Sequence, residues 1–208
     1  MTNGFDKIID YGFDENAVRY GIKYGGDRVV FIKAGLGGGI PGYEGKYLKI
    51  ADRLNEKHGC TVICASNPQE ITDQTLIDKF AIDELVKDRG IDSPELYFFG
   101  HSNGGIKGLD LTRIGLSFKK MMLVNMPLMI NMFKTKAMIS AIPETSVSLI
   151  YGELDPSVPY IPFFDGKLDN VSATVFLGAD HNFSGFLNEF IHLADGLFMD
   201  FKRQLKIT

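Results

Sequence analysis

The sequence has 208 residues, 45% of them hydrophobic and 23% charged, and a formal net charge of −4 at pH 7. This length predicts one domain over residues 1–208, with enough chain to bury a sizeable core. The sequence has no basic run, no apolar N-terminal leader and no apolar run of bilayer length, so we expect a cytoplasmic protein with no nucleic-acid or membrane partner.

Two cysteines, Cys60 and Cys64, predict neither a disulfide nor a metal site. If the residues between them form a strand, their Cα atoms lie about 13 Å apart, whereas a disulfide allows no more than about 7 Å. No second pair of cysteine or histidine residues has the spacing of a zinc site. We therefore expect two reduced core thiols, no metal and no other cofactor.

Short apolar segments separated by turn residues predict about eight strands. They are residues 7–11, 17–22, 28–32, 61–65, 96–99, 121–124, 147–151 and 173–177. A hairpin through residues 12–16 is expected to join the first two. The later strands are continuous apolar runs without alternation, which is typical of strands buried on both faces.

Apolar residues at helical spacing predict helices between most of these strands. The helical segments are residues 43–57, 72–89 with Thr72 as its N-cap, 106–114, 128–139 and 184–205. Helices that alternate with buried strands define the α/β class. We predict a three-layer sandwich, with a mostly parallel, twisted sheet of about eight strands and helices on both faces.

One pentapeptide, Gly100-His101-Ser102-Asn103-Gly104, combines an apolar strand before it with an amphipathic segment after it. This is the Gly-x-Ser-x-Gly pattern in the strand-turn-helix setting that a serine nucleophile needs. A sharp turn at the end of a buried strand projects the serine and holds its backbone under strain. Glycines two residues before and after the serine leave room for the neighbouring backbone.

With this motif the chain resembles a small α/β hydrolase over nearly its whole length. In that family the nucleophile, the acid and the histidine follow in this order after successive strands. Here Ser102, Asp155 and His181 have that order, and each follows a predicted strand. The resemblance implies that Ser102 is the nucleophile, His181 its base and Asp155 the acid that orients the imidazole.

The resemblance also implies an oxyanion hole made of two backbone N–H groups. One is expected from Asn103, the residue after the nucleophile, and the other from the loop after the third strand. The family usually has His-Gly where this chain has Ala34-Gly35. Matching the two points to the N–H of Leu36, and Gly37 is the alternative.

Further residues near the predicted strand ends are candidates for the pocket wall or alternatives to the proposed catalytic residues. Gly37, Asn67, Met126 and Phe163 are expected to line the substrate pocket. Asp165 and Asp180 are weaker candidates for the acid, His101 is expected to pack beside the serine, and His58 and His192 are read as structural or solvated. The segment at about 126–146 is too short for a large lid, so we expect a shallow pocket with at most a small cap.

Together these features predict a serine hydrolase of the carboxylesterase or thioesterase type, acting on a small-molecule acyl substrate through an acyl-enzyme. A catalytically inactive scaffold that binds a ligand or partner, and an acyltransferase with the same triad, remain as alternatives. The glycine run 37–42 also matches a nucleotide-binding fingerprint. No acidic residue ends the next strand, however, and Pro41 lacks an N–H for a phosphate.

Overall fold

The computed structural model describes residues 4–12, 17–69 and 74–199. These residues contain eight strands, in agreement with the predicted number. They are β1 Lys7–Tyr11, β2 Val18–Lys23, β3 Gly26–Lys33, β4 Cys60–Ala65, β5 Glu95–His101, β6 Lys120–Val124, β7 Ser146–Gly152 and β8 Val171–Phe176. Each predicted strand overlaps an observed one, because four or five consecutive apolar residues are a strong local signal.

The described residues also form five α-helices. They are α1 Lys46–His58, α2 Gln74–Asp88, α3 Asn103–Arg113, α4 Met132–Ser140 and α5 Leu187–Leu193. Short 3₁₀ helices lie at Tyr43–Gly45, Val158–Phe163 and Ala194–Leu197. None of the described helices has the length and apolar composition of a transmembrane span.

All eight strands form one sheet with the order β1-β2-β4-β3-β5-β6-β7-β8. The strands from β4 to β8 in this order pair in parallel, whereas β2 pairs antiparallel with both β1 and β4. The mostly parallel sheet is therefore confirmed. The antiparallel hairpin of β1 and β2 covers one edge. Of its predicted connection at residues 12–16, residues 13–16 lie outside the described residues.

Alternate residues of the central strands face two separate apolar cores. Val29 and Phe31 of β3 belong to one core, and Val30 and Ile32 belong to the other. Buried residues of α2, α3 and α4 complete the first core, and those of α1 and α5 complete the second. Helices thus cover both faces, and the predicted three-layer α/β sandwich is confirmed.

Of the predicted helices that begin later than expected, α4 and α5 have a start that is set by a side chain. The helix predicted at 128–139 begins at Met132, because the Asn131 side chain accepts the N–H of Lys134 as an N-cap. The helix predicted at 184–205 begins at Leu187, because the Asp180 carboxylate accepts the N–H groups of Asn182 and Ser184 and holds a turn.

The predicted helices at 72–89 and 184–205 extend beyond the described residues. The last α-helix ends at Leu193, and a 3₁₀ helix follows to Leu197. Residues 200–208 and the predicted cap Thr72 lie outside the described residues. The predicted cap segment at 126–146 contains α4, which packs against α3 and buries Met138 and Ile139 in the core. It is the crossover between β6 and β7.

The two cysteines lie on β4, as the strand prediction required. Both are free and buried. Burial raises the pKa of Cys60 to about 11 and that of Cys64 further, so both remain protonated at neutral pH. The prediction of two reduced core thiols is confirmed.

Candidate active site

The turn between β5 and α3 holds Ser102 in a strained backbone conformation. Ser102 has φ 55° and ψ −128°, which few residues other than glycine adopt. The strand ends at His101 and the helix begins at Asn103, so the serine alone forms the turn. The strain is expected where a nucleophile projects from the end of a strand.

The two glycines of the motif let other backbone segments approach this turn. A Cβ on Gly104 would lie 2.3 Å from the carbonyl oxygen of Lys33. A Cβ on Gly100 would lie 2.7 Å from the nitrogen of Gly105. Both distances are impossible for real atoms, so any larger residue would push β3 or α3 away from the serine.

Ser102, His181 and Asp155 form a continuous chain of hydrogen bonds. The Nε2 atom of His181 lies 2.9 Å from the Ser102 hydroxyl, and its Nδ1 atom lies 2.5 Å from Oδ2 of Asp155. The imidazole is 40% exposed, whereas the Asp155 side chain is 1% exposed. Solvent therefore reaches the serine and the imidazole, while the carboxylate lies buried behind them.

Each carboxylate oxygen of Asp155 has its own partner. Oδ2 faces the imidazole, and Oδ1 accepts the N–H of Ser157 at 2.7 Å. The Ser157 hydroxyl in turn accepts the N–H of Leu128 at 3.2 Å. These contacts fix the rotation of a buried carboxylate, and a fixed carboxylate selects one tautomer of the imidazole.

Two buried side chains hold the backbone of His181. Its carbonyl oxygen accepts hydrogen bonds from Nδ2 of Asn125 at 2.7 Å and from Nε2 of His101 at 3.0 Å. Burial, with help from the charge of Lys46, lowers the pKa of His101 to about 3, so this ring is neutral. With its proton on Nε2, the His101 ring accepts the Tyr47 hydroxyl proton at Nδ1, 3.0 Å away.

The role of Asn125 was not predicted from the sequence. It follows β6 directly and has φ 48°, and its Oδ1 also accepts the N–H of Gly152 at 2.9 Å. One signal for it was available, because an asparagine that immediately follows a buried strand stands at the carboxyl edge of the sheet. Polar residues at that edge are where ligand and catalytic groups collect.

The loop after β3 passes directly over the serine. A Cβ on Gly35 would lie 3.3 Å from Cβ of Ser102. In this loop the Gly37 N–H donates to the Asn67 carbonyl at 2.7 Å, and the Gly38 N–H donates to the Gly35 carbonyl at 2.8 Å. Gly37 is thus engaged, and among the described residues the N–H of Leu36 has no acceptor.

A second N–H points from the start of α3. Asn103 is the first residue of this helix, and the first N–H groups of a helix have no partner within it. The positive end of the helix dipole adds to their attraction for negative charge. Within the described part of the chain, the N–H groups of Leu36 and Asn103 thus have no acceptor, and both lie on segments that adjoin Ser102.

Asn67 ties these two segments together and does not line an open pocket. It has no exposed surface. Its Nδ2 donates to the Ala34 carbonyl at 2.9 Å and to Oδ1 of Asn103 at 3.1 Å, and its N–H donates to the Gly38 carbonyl at 2.9 Å. The residue predicted as a pocket wall thus joins the glycine loop to the start of α3.

The remaining predicted pocket residues divide into buried and exposed ones. Met126 has no exposed surface and belongs to the core, where it packs close to Gly105. Its placement in the core corrects the expectation that it lines the pocket. Gly37 is exposed on the loop after β3, and Phe163, the last residue of the 3₁₀ helix Val158–Phe163, is 49% exposed.

The alternative candidates lie in other surroundings. The Asp180 carboxylate accepts backbone N–H groups of its own loop, and these hydrogen bonds lower its pKa. His58 contacts Asp195, and His192 contacts the Asn188 carbonyl, both away from Ser102. Within the described ranges, no group of three His, Cys, Asp or Glu side chains is arranged to hold a metal.

Solved structures with this architecture are numerous. Est1E from Butyrivibrio proteoclasticus superimposes with a TM-score of 0.68 at 14% identity, over 92% of this chain and 97% of that chain. An alpha-beta serine hydrolase homologue from Coxiella burnetii gives 0.66 at 15% identity, over 91% and 96%. The thioesterase domain from the curacin biosynthetic pathway gives 0.66 at 13%, over 93% and 99%.

No protein-family model matches the sequence, and no curated protein matches it. Similarity at these identities is similarity of fold. The chain has the α/β-hydrolase fold, as the resemblance of its motifs implied.

Proposed function

We propose that this protein is a serine hydrolase that cleaves a carboxylic ester or thioester of a small to medium substrate. The observation that carries the proposal is the unbroken chain from the Ser102 hydroxyl through the His181 imidazole to the buried Asp155 carboxylate. A serine hydroxyl is a poor nucleophile at neutral pH and needs such a base beside it.

The geometry supports a two-step acyl transfer. His181 takes the Ser102 proton at Nε2 as the hydroxyl attacks the substrate carbonyl, and it returns that proton to the departing alcohol or thiol. Water then attacks the acyl-enzyme. His181 takes a proton from this water and returns it to the Ser102 oxygen, which releases the acid and frees the serine. Asp155 keeps the Nδ1 proton in place and stabilises the imidazolium that forms in each step.

The N–H groups of Leu36 and Asn103 are the proposed donors to the tetrahedral oxyanion. In a related kind of site, losing one such donor costs about 10²–10³ in turnover. The position of Gly35 against Ser102 supports this role, because it brings the loop that carries Leu36 close to the nucleophile.

Exposed apolar side chains favour an apolar acyl group. Leu36 is 57% exposed, Leu154 beside Asp155 is 66% exposed, and Phe163 is 49% exposed. They stand on the same loops as the proposed catalytic groups. The segment between β6 and β7 folds as a crossover helix, which supports an open site without a large lid.

Labelling with a fluorophosphonate probe tests this function. We expect the wild-type protein to be modified at Ser102 and the Ser102→Ala variant to remain unmodified, as read by mass spectrometry of peptides. Ser117→Ala, a change at an exposed serine away from the site, serves as the matched control and should label normally. A folded wild-type protein that does not label would favour the inactive-scaffold alternative.

The reaction type is tested by a panel of p-nitrophenyl esters and acyl-CoA thioesters of increasing chain length. We expect turnover of short and medium chains, and none in Ser102→Ala. Activity that appears only when an acceptor alcohol or amine is added would favour the acyltransferase alternative. Activity confined to emulsified long-chain lipids would contradict the open site.

A further inference from the structure

A second pocket adjoins the proposed catalytic histidine. It has a volume of about 430 Å³ and lies between the start of α1 and the loop that follows His181. Asn182 and Phe183, the two residues after the histidine, form one wall, and Lys46 and Phe190 form another. Nothing in the proposed acyl-transfer mechanism uses this pocket or its lysine.

Lys46 is unusual because it is buried without an ionic or hydrogen-bonding partner among the described residues. The residue is only 6% exposed. Its Nζ lies 4.6 Å from the centre of the Phe190 ring and 5.4 Å from that of Tyr47. Within the described part of the chain, no carboxylate or carbonyl oxygen lies within hydrogen-bonding distance of Nζ.

This environment is unfavourable for an ammonium group, since aromatic faces replace only part of its hydration. Burial accordingly lowers the pKa of Lys46 to about 8, although the Asp180 carboxylate opposes the shift. A methionine would fill the same space at no electrostatic cost. A lysine on a pocket wall with no acceptor is instead arranged to meet an anion that enters the pocket.

The pocket also lies beside the loop that carries His181, since Asn182 and Phe183 line it. His181 must return its proton to the leaving group, so that group lies beside the imidazole. The Phe190 ring packs between the two sites, with its centre 5.4 Å from the His101 ring and 4.6 Å from Nζ of Lys46. The His101 ring centre is in turn 5.6 Å from that of His181.

We propose that this pocket is a leaving-group subsite and that Lys46 binds a carboxylate carried by the leaving group. The inference rests on the proposed serine-hydrolase function and adds a substrate class to it. That class is esters whose alcohol or phenol part carries a carboxylate. Glu44 also lines the pocket, but it is exposed to water, which screens its charge more than that of the buried Lys46.

Matched pairs of esters test the subsite. For 4-acetoxybenzoate against its neutral methyl ester, we expect wild type to favour the anionic substrate in kcat/KM. In Lys46→Met this ratio should fall by about tenfold or more, the equivalent of one hydrogen bond to a charged group. Lys46→Arg should keep much of the ratio. Lys49→Met, which removes an exposed lysine from the same helix, should leave the ratio unchanged.

The pH dependence of the ratio gives an independent readout. The preference for the anionic ester should decline above about pH 8, as Lys46 loses its proton. Of the charged and titratable groups around Lys46, Glu44 lines the pocket, the Asp180 carboxylate acts on Lys46 through its charge, and Glu189 is on the adjoining helix α5. His101 and His181 lie beyond the Phe190 ring. The two esters share one acyl group and one set of catalytic residues, so an effect of pH on the acyl transfer itself cancels in the ratio.

Binding to Ser102→Ala separates this inference from the proposed function. We expect 4-hydroxybenzoate to bind more tightly than 4-hydroxybenzamide by calorimetry, and the difference to vanish in Ser102→Ala/Lys46→Met. Equal binding of the two ligands, in a protein whose wild type labels with fluorophosphonate, would overturn the subsite and keep the hydrolase. Preferential binding of the benzoate with no labelling would keep the subsite and overturn the hydrolase.

Discussion

At the scale of single residues, the candidate site depends on backbone conformations that most side chains avoid. Ser102, Asn125 and Phe183 all have positive φ and all lie around His181. Such conformations cost on the order of 1–3 kcal/mol each and persist only where surrounding contacts hold them. Here those contacts include the Asn125 hydrogen bonds and the close approach at Gly100 and Gly104.

Gly35 provides a test at this scale. Gly35→Ala places a methyl group 3.3 Å from Cβ of Ser102 and must displace the loop that carries Leu36. We expect kcat on a p-nitrophenyl ester to fall by about tenfold to a hundredfold, part of the loss seen when an oxyanion donor is removed.

Gly39→Ala is the matched control in the same loop. Its added methyl would meet only Pro41, at an ordinary contact distance of 3.7 Å. We expect nearly normal kcat and stability for this variant. If both variants retained full kcat, the loop after β3 would have no part in stabilising the oxyanion.

At the scale of secondary-structure elements, one buried ion pair joins four segments behind the site. Lys33, the last residue of β3, and Asp78 of α2 have fully buried side chains with Nζ 2.9 Å from Oδ1. Lys33 also donates to the Ser66 carbonyl at 2.8 Å, and the Tyr20 hydroxyl of β2 donates to Asp78 at 2.7 Å. The pair therefore anchors the strand end from which the Gly35 loop departs.

Removing one partner of this pair should be strongly destabilising. We expect Lys33→Met to lower the free energy of unfolding by about 3–5 kcal/mol, because it leaves the Asp78 carboxylate buried without a counter-charge. Lys33→Met/Asp78→Asn should recover much of this loss, since the amide is neutral and still accepts from Tyr20. Urea denaturation measures both, and a double variant no more stable than the single one would contradict the explanation.

At the scale of the whole molecule, charged side chains join α1 to the 3₁₀ helix Ala194–Leu197, which is far from it in the sequence. Asp195, in the last described 3₁₀ helix, accepts hydrogen bonds from Arg53 at 2.6 and 2.9 Å and from Lys57 at 2.7 Å, both on α1. His58 lies 3.3 Å away. Burial acts to raise the pKa of Asp195, but these hydrogen bonds outweigh it and hold the pKa well below its usual value.

This tether predicts a pH-dependent contribution to stability. Asp195→Asn should lower the free energy of unfolding by about 2 kcal/mol at pH 7, the value of hydrogen bonds to a charged group. Because the pKa of Asp195 is lower in the folded state than the ordinary value of 3.8, its ionisation stabilises the folded state at pH values above 3.8. This stabilisation is lost progressively as the pH falls below 3.8. The difference between wild type and variant should therefore be smaller at pH 3 than at pH 7.

Chemical denaturation at the two pH values measures this contribution. Asp169→Asn, a change at an exposed carboxylate, is the control and should have little effect at either pH. A difference between wild type and Asp195→Asn that is the same at both pH values would mean that the loss reflects packing and not the charge of Asp195.

The sequence alone determined the fold class, the eight strands and the order of the three proposed catalytic residues. Apolar runs of four or five residues and the Gly-x-Ser-x-Gly turn are local patterns, and local patterns are written directly in the sequence. The predicted starts of α4 and α5 were wrong because single side chains, Asn131 and Asp180, set the adjoining turns.

Only the tertiary structure decided which residues meet. It placed Asn67 between the two candidate oxyanion donors, put Met126 in the core, and brought Asn125 to the backbone of His181. It also buried Lys46 beside the site, where none of the residues that the structure describes offers its Nζ an acceptor. Contacts of this kind join residues far apart in the chain, so their geometry follows from the packing of strands and helices and not from any local pattern.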